Sequence, residues 1–435
     1  MRRRTRVFIL AGAAVLALGV SIWRLLDAQR RGEPANRAST LEAVVAEIEA
    51  GNRTTPLVGE PVAGGDATVT FLAKRSSGRE PRVVSDVTGW GEHADGTFDF
   101  TAGTMTPVGR TDWYSLQANV ALRARIEYLV AYAPTDYRID PYNPRQTAGP
   151  QFGGAPASEF VTAGYVPPQE FADSPVSPAG RITEAVVDSQ VLRGSCRVIV
   201  YTPARYRGDG EYPAAVFLDL RAGQMSRVLD WLIARQAIEP IVAVFVGPNS
   251  RNNGRFTGAP LRAFLTDELL TWLAARYAVT RSAGRRAIIG ISFGAKDALD
   301  AALSCGGISN GPFDVARGNL AGGRKSSATL GCQSGAFDRL GLLIPGRRIV
   351  RADIDAIADR RNRRVGVAIL AGRYDQANVA TARGLWRALA DAGHAVDYTE
   401  VPEGHSAVTW TNHLRVVLVS LFGPAARASP GGTRP

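Results

Sequence analysis

The sequence predicts an α/β fold built on a doubly wound, mostly parallel sheet, with a small antiparallel β-sandwich before it. Short alternating apolar runs, separated by Gly, Asp and Pro residues, extend from residue 67 to 132 and predict the sandwich. From about residue 181, apolar strand-like runs alternate with helical segments, the pattern of a parallel sheet covered on both faces. The length of 435 residues suits two or three domains, and 45% hydrophobic with 21% charged residues is an ordinary globular composition.

The N-terminal segment is predicted to be a targeting signal. Arg2, Arg3 and Arg4 precede an uncharged apolar run from Val7 to Trp23, and no convincing cleavage site follows. We therefore favour an uncleaved signal anchor in the membrane over a cleaved signal, with the rest of the chain exported to the periplasm or cell surface. The expected segments are an anchor, a short helix with the sandwich, a linker, the α/β domain and a flexible tail, at residues 1–31, 32–145, 146–180, 181–423 and 424–435.

Composition excludes several classes of function. The net charge of +11 is carried by arginines spread along the chain without an aromatic-basic groove, so nucleic acid is not an expected partner. Cys196, Cys305 and Cys332 have no metal-binding spacing, and neither a metal nor a cofactor is expected. A Cys305–Cys332 bridge and buried free thiols both remain open.

The sandwich region is predicted to begin with an amphipathic helix over 41–50, capped by Ser39 or Thr40. The strands that follow are ATVTFLAK, RVVSDV, DWYSLQANV and RIEYLVAY. Trp90 and Trp113 could stack on sugars, but aromatic residues at strand spacing are more typical of a core. Residues 146–180 are rich in Pro, Gly and Ala and show no periodicity.

The α/β domain is predicted from its strands and helices in order. Its strands are EAVVDSQVL, CRVIVYTP, AAVFLDL, IVAVFVG, AIIG, VGVAILAG and VDYTEVP. Its helices are MSRVLDWLIARQ, APLRAFLTDELLTWLAARY, AKDALDAAL, VATARGLWRALADAG and SAVTWTNHLRVVLVSLF.

A G-x-S-x-G motif from Gly290 to Gly294 joins the AIIG strand to the next helix. Alone it is a weak signal, because 46 glycines make chance matches common. Between a buried strand and a helix, it predicts a sharp turn that lifts the Ser292 hydroxyl above the sheet edge. Ser292 is therefore the candidate nucleophile, and the Phe293 amide is a candidate oxyanion donor.

A serine nucleophile needs a base, and the four histidines differ in their settings. His93 lies in the sandwich, His394 at the end of a helix and His413 within the last helix. His405 alone falls in a loop directly after a strand, at the predicted sheet edge of Ser292. His405 is the expected base.

Asp375 follows the VGVAILAG strand and is the expected acid, with Glu403 and Asp397 as weaker alternatives. The chain order Ser292, Asp375, His405 is the order of nucleophile, acid and base in α/β-hydrolases. The sequence therefore predicts a hydrolytic triad on three strand ends.

Less specific signals bear on the rest of the site. The second oxyanion donor is expected in the loop after AAVFLDL, from the amide of Leu220 or Arg221. Arg221, Arg251 and Arg255 follow sheet strands and could bind an anionic substrate, although solvated loop arginines are the commoner case.

Trp410 could equally line a pocket or belong to the core, and Lys296 is expected to be a solvated helix residue.

Read together, these motifs resemble the enterochelin esterase branch of the esterase D-like α/β-hydrolases. The resemblance spans about residues 40 to 422 and rests on AEIEAGNRTTPL, VTGWGE, DPYNP, VFLDLRAG, GISFGAKDA, AGRYDQ and EGHSAVTW. It implies an immunoglobulin-like N-terminal domain and the triad Ser292, Asp375 and His405. It also implies hydrolysis of the ester bonds of enterobactin, a tri-catecholate siderophore, or of other acyl esters.

The chain departs from that family's pattern at Leu220, Ala295 and Ser406, where the family usually has glycine, glycine and an acidic residue. The segment from Cys305 to Ser327 is longer than the family's connection and could be a lid or a surface loop. Two alternatives to hydrolysis stay open: a surface transacylase, and a catalytically silent protein that binds glycans.

Overall fold

The structure is a computed structural model. It describes residues 40–61, 65–91, 99, 101–147, 156–219, 221–247, 257–303, 313–314, 319–320, 335–346, 348–357 and 364–424. Outside these ranges lie the predicted anchor and tail and the residues His93, Leu220, Arg251, Arg255, Cys305 and Cys332.

The described elements are numbered in chain order. The strands before residue 170 are β1 (Leu57–Pro61), β2 (Asp66–Lys74), β3 (Arg82–Ser85), β4 (Thr106–Pro107), β5 (Trp113–Ala121), β6 (Arg125–Ala133), β7 (Asp136–Arg138) and β8 (Ser158–Val161). The later strands are β9 (Arg181–Ser189), β10 (Gly194–Thr202), β11 (Ala214–Leu218), β12 (Val242–Val246), β13 (Arg286–Ile291), β14 (Phe313–Asp314), β15 (Asn319–Leu320), β16 (Arg339–Leu343), β17 (Gly366–Gly372) and β18 (Ala395–Val401). The α-helices are α1 (Leu41–Glu49), α2 (Gln169–Ala172), α3 (Ala222–Ala234), α4 (Gly258–Ala263), α5 (Leu269–Arg276), α6 (Gly294–Leu303), α7 (Arg351–Asp355), α8 (Val379–Asp391) and α9 (Ala407–Phe422).

The described chain divides into two compact units, and the smaller one contains residues 40–54 and 107–113. In this unit Thr40 caps α1, because its side-chain oxygen accepts from the Ala43 amide at 3.4 Å. The indole of Trp113 is buried and donates to Glu49 at 3.0 Å. Trp113 is therefore a structural residue, which favours the core interpretation of this tryptophan.

The larger unit contains residues 55–106 and 114–424 of the described chain, and its first part is a β-sandwich. One sheet has the order β1-β2-β5-β4, and a second has β3-β6-β7 with β8 paired to β6. Their facing side chains share one apolar core, in which the rings of Phe71, Tyr128 and Phe160 meet edge to face. The N-terminal β domain that the sequence predicts is confirmed.

The second part of this unit is an α/β-hydrolase fold. Its eight-stranded sheet has the order β18-β17-β16-β13-β11-β12-β10-β9. Every pair from β18 to β12 is parallel, and β10 is antiparallel to both of its neighbours. Separate apolar cores cover the two faces of this sheet, as the near-continuous apolar strands predict. The predicted fold class is confirmed.

Several elements differ from the sequence-based expectation, among them two strands and one helix. Strand β16 was not predicted, because its apolar run begins with Arg339 and is interrupted by Gly341 at its centre, yet it lies between β13 and β17. A Cβ at Gly341 would lie 2.9 Å from Val417 and 3.0 Å from Ile289, which explains the glycine.

Strand β8 lies within the stretch expected to be a linker. It was not predicted because its four residues are too few to show alternation. The long helix expected after β12 is divided into α4 and α5 by a π-helical segment, Phe264–Glu268.

None of the helices within the described ranges combines the length and apolar character that a bilayer crossing requires.

Candidate active site

Ser292 occupies a sharp turn between β13 and α6, as its motif predicts. Its φ of +51° is in the left-handed region, which costs free energy for any residue with a Cβ. The turn is held because the Ser292 amide donates to the Leu343 carbonyl at 3.0 Å, and the Ser292 carbonyl accepts from Ala295 at 3.1 Å. The neighbouring strand β16 therefore fixes the backbone that presents the hydroxyl.

Gly290 is required by the packing of the same turn. A Cβ at this position would lie 2.6 Å from the Ala295 Cα and 2.7 Å from the Ala298 side chain, closer than the van der Waals contact distance of two carbon atoms. The first glycine of the motif therefore lets helix α6 cross close over strand β13.

His405 lies in the loop after β18, and its ring reaches the serine. Its Nε2 is 2.8 Å from Ser292 Oγ, and its Nδ1 is 2.8 Å from Asp375 Oδ2. A carboxylate accepts hydrogen bonds and donates none, so the imidazole proton belongs on Nδ1. Nε2 is then left to accept the serine proton. Three residues from three strand ends form one hydrogen-bonded chain.

Asp375 is buried in the loop after β17 and is oriented by a fourth residue. Asn378 donates its side-chain amide to Asp375 Oδ1 at 2.7 Å, so the other carboxylate oxygen faces the histidine. Asn378 was not predicted as a site residue, although it lies three positions after the acid at the start of α8.

Two other histidines have structural partners. His394 is buried, and its Nδ1 accepts from the Val365 amide at 3.2 Å. The Nε2 of His413 lies 2.7 Å from Glu403. Neither lies in the chain formed by Ser292, His405 and Asp375.

The predicted oxyanion donors are placed only in part. Phe293 directly follows Ser292 at the N-terminus of α6, the end of a helix that favours negative charge. The Arg221 amide donates to Asp219 Oδ1 at 2.7 Å and is therefore occupied by that carboxylate. Leu220, the other predicted donor, is outside the described residues.

Trp410 and Arg221 form a layered contact beside the histidine. The Trp410 ring meets the His405 ring edge to face, with centroids 5.8 Å apart, and is 7% exposed. The Arg221 guanidinium lies 4.6 Å from the Trp410 ring centroid and also pairs with Asp219 at 2.5 Å. Phe293, the residue after Ser292, exposes 42% of its surface.

Lys296 was expected to be solvated, and that expectation is wrong. Only 19% of its side chain is exposed, and its ammonium pairs with Asp300 at 2.5 Å and with Asp353 at 3.2 Å. Since α7 supplies Asp353, the lysine joins α6, the helix after Ser292, to a neighbouring helix.

A buried polar cluster behind the histidine loop was not predicted. It contains Asp86, Arg125, Glu127, Glu403 and Ser406, each at most 4% exposed. The signal that could have found it is the alternation in RIEY on β6, where Arg125 and Glu127 share the face opposite to Ile126 and Tyr128.

Burial raises the pKa of Asp86 to about 7, helped by the nearby charge of Glu127. Burial also raises the pKa of Glu127, although Arg125 and the Ser406 hydroxyl act in the opposite direction. For Glu403 burial is outweighed by the bond to His413 and the charge of Arg125, so its pKa lies below the ordinary value.

The thiol of Cys196 is buried and free, and burial raises its pKa to about 11, which makes it a poor nucleophile. Within the described part of the chain no cluster of His, Cys, Asp and Glu side chains has the arrangement of a metal site.

The chain is similar to known esterases in part of its sequence and in its fold. A family model described as a putative esterase matches residues 189–308. Ferric enterobactin esterase from Salmonella typhimurium is 18% identical, with a TM-score of 0.62 over 88% of this chain and 100% of that one. Enterochelin esterase from Shigella flexneri is 17% identical, with a TM-score of 0.57 over 87% of this chain and 98% of that one.

A structure of the Shigella flexneri enterobactin esterase in the presence of enterobactin is likewise 17% identical, with a TM-score of 0.58 over 88% and 98% of the two chains. At these identities the likeness is one of fold. No curated protein matches the chain.

Proposed function

We propose that this chain is a carboxylic ester hydrolase that acts through a Ser292 acyl-enzyme on siderophore esters of the enterobactin type. The match of residues 189–308 to the putative esterase model and the fold shared with the enterochelin esterases support this proposal. The observation that carries the mechanism is the hydrogen-bonded chain from Ser292 through His405 to Asp375. No metal or cofactor takes part in the proposed reaction.

In the first half-reaction Ser292 Oγ attacks the ester carbonyl while its proton passes to His405 Nε2. Asp375 stabilises the imidazolium, and the oxyanion is held by the Phe293 amide at the start of α6 and by an amide of the Leu220 loop. The ester C–O bond then breaks, and His405 returns the proton to the leaving alcohol.

In the second half-reaction water attacks the acyl-enzyme, with His405 as its base, and Ser292 leaves as the protonated hydroxyl. Acid and free enzyme are the products.

The siderophore part of the proposal has two supports. The solved structures with this fold carry the names ferric enterobactin esterase and enterochelin esterase. The described site also offers surfaces that suit an aromatic, anionic ester: the exposed Phe293 ring beside Ser292, and the Arg221 guanidinium stacked on Trp410. We further propose that Arg251 and Arg255 add positive charge there, and that the N-terminal anchor holds the enzyme to the membrane outside the cytoplasm.

The direct test is Ser292→Ala. We expect hydrolysis of a p-nitrophenyl ester to fall at least 10³-fold, to roughly the residual rate of an active site without its nucleophile, while the circular dichroism spectrum is unchanged. Ser420→Ala is the matched control, since Ser420 also has a hydrogen-bonded hydroxyl, which donates to Asp397 from the last helix, and this variant should retain full activity.

Retained activity in the Ser292→Ala protein would overturn the mechanism. The substrate is tested separately, by product analysis with iron-loaded and iron-free enterobactin. Turnover of the p-nitrophenyl ester without turnover of either form would leave the mechanism standing and remove the siderophore.

A further inference from the structure

The turn that carries His405 is held by a residue of the β-sandwich. Ser406 caps α9, because its Oγ accepts from the Thr409 amide at 3.2 Å. The single proton of the same hydroxyl goes to Glu127 Oε1 on β6, at 2.7 Å. One side chain therefore fixes the start of the last helix and joins the histidine turn to the sandwich.

Glu127 is in turn held by buried charges that also reach the other side of the turn. Its side chain is fully buried, and Arg125 Nη1 donates to its Oε1 at 2.8 Å. The same Arg125 atom lies 3.6 Å from Glu403 Oε2, and Glu403 Oε1 lies 2.7 Å from His413. Moving one of these side chains away from its partner would leave an uncompensated buried charge, so the side chains of this set resist displacement.

Asp86 holds the backbone immediately before the histidine. Its two carboxylate oxygens accept from the Trp90 indole at 2.9 Å and from the Glu127 amide at 2.7 Å. A Cβ on Gly404 would overlap the Asp86 carboxylate, so the glycine lets Asp86 pack directly against this backbone. The residues on both sides of His405 are thus in contact with the sandwich.

The acid loop is held in the same way. Tyr374 Oη accepts from the Ala121 amide at 2.7 Å, and Gln376 Nε2 donates to the Val87 carbonyl at 2.8 Å. Tyr374 and Gln376 are the two neighbours of Asp375 in the chain. Sandwich atoms therefore contact the flanking residues of both the base and the acid.

We infer that the sandwich is part of the catalytic apparatus, with Glu127 as the positioning residue for His405 and the Tyr374 contact doing the same for Asp375. The inference rests on the proposed function. Its physical basis is that a proton shuttle needs heavy-atom distances near 2.8 Å, and a displacement of about 1 Å can cost up to about 10²-fold in rate.

The test is Glu127→Gln in the full-length chain. It keeps the shape and the acceptor for Ser406 but removes the charge that Arg125 compensates. We expect kcat to fall about tenfold or more with KM within about twofold, and the labelling of Ser292 by a fluorophosphonate probe to slow by the same factor. Tyr201→Phe on strand β10 is the matched control. It removes the 2.7 Å hydrogen bond that the Tyr201 hydroxyl donates to Asp230 on α3, and it should lower the melting temperature without changing kcat.

A purely structural role predicts a different result, in which Glu127→Gln lowers the melting temperature as Tyr201→Phe does and leaves kcat and the labelling rate unchanged. That result would overturn the inference. If the Glu127→Gln protein does not fold, Tyr374→Phe decides, because it removes only the acceptor of the Ala121 amide: a fall in kcat at constant KM supports the inference, and an unchanged kcat overturns it. Failure of the proposed function is distinguishable, since it would appear as activity in the Ser292→Ala protein.

Discussion

A single amide decides which way the acid at the site points. The side chain of Asn378 donates to one oxygen of Asp375, and the other oxygen accepts from His405 Nδ1. Because each of the two Asp375 oxygens accepts from a different donor, the plane of the carboxylate has one favourable orientation. The tautomer of His405 follows because either carboxylate oxygen can only accept a hydrogen bond, which places the imidazole proton on Nδ1.

We therefore expect Asp375→Asn to reduce kcat about 10⁴-fold. Asn378 would hold the amide oxygen at position 375, so the new NH₂ group would face His405 Nδ1 and donate to it. The imidazole proton would then stay on Nε2, where it cannot accept the proton of Ser292. Steady-state hydrolysis of a p-nitrophenyl ester measures the loss.

A second variant isolates the orienting role of Asn378. When Asn378→Ala is combined with Asp375→Asn, the new amide can turn its oxygen towards Nδ1, and part of the lost kcat should return. Equal kcat in the single and the double variant would contradict this role.

At this scale the three residues of the hydrogen-bonded chain could be predicted because each one follows a strand of a parallel sheet, in the order Ser292, Asp375, His405. Glu127 could not, because its importance comes from a contact with Ser406, 279 positions away. Sequence reasoning identifies residue types at element ends, and a partner that depends on packing between distant elements leaves little local trace.

Among the elements, the strand–turn–helix unit of β13 and α6 is the most tightly constrained. Ser292 is held at positive φ, and α6 crosses β13 at a distance that only glycine at position 290 permits. The same close crossing presents the half-buried Ser292 at the edge of the sheet.

Gly290→Ala should therefore destabilise the protein by about 1–3 kcal/mol, the usual cost of overpacking a well-filled site, and should lower kcat as the turn shifts. Gly223→Ala on α3 is the control, because nothing lies within 4 Å of its added Cβ, and it should be neutral or stabilising by up to about 1 kcal/mol. Urea unfolding of both variants gives the comparison. Equal stabilities would show that the crossing can relax.

The elements that escaped prediction were short or interrupted. Strand β16 has five residues with a central glycine, and β8 has four, so neither carries enough alternation to be recognised. The π-helical segment between α4 and α5 has an ordinary helical sequence pattern, since one wider turn changes the periodicity too little. Strands β11 and β12 also have only five residues each, but they were predictable because all five are apolar and buried.

For the molecule as a whole, the buried cluster links stability to pH. Asp86 has an ordinary pKa of 3.8, and burial together with the charge of Glu127 raises it to about 7 in the folded protein. Between these values the unfolded chain has released the Asp86 proton while the folded chain retains it. The contribution of this group to stability is therefore complete below pH 3.8 and is lost as the pH rises towards 7.

We expect the free energy of unfolding of Asp86→Asn to depend less steeply on pH than that of the wild type between about pH 4 and 7. Trp90 and the Glu127 backbone donate to different carboxylate oxygens, and asparagine replaces one of these acceptors with a donor, so absolute stabilities also change and only the slopes are compared. Urea titrations at pH 5, 6, 7 and 8 provide the slopes. Identical slopes would mean that Asp86 is already ionised in the folded protein near pH 4.

The bond between Glu127 and Ser406 also has a consequence for how the protein matures. It joins positions 279 residues apart, so a segment near the beginning of the chain must wait for the last helix to be synthesised. Contacts of such long range form late, because the entropy of closing the intervening loop is lost before the contact can stabilise anything. Hydrolytic activity should therefore appear as one of the last events of folding, after the sandwich and the last helix have both formed and packed against each other.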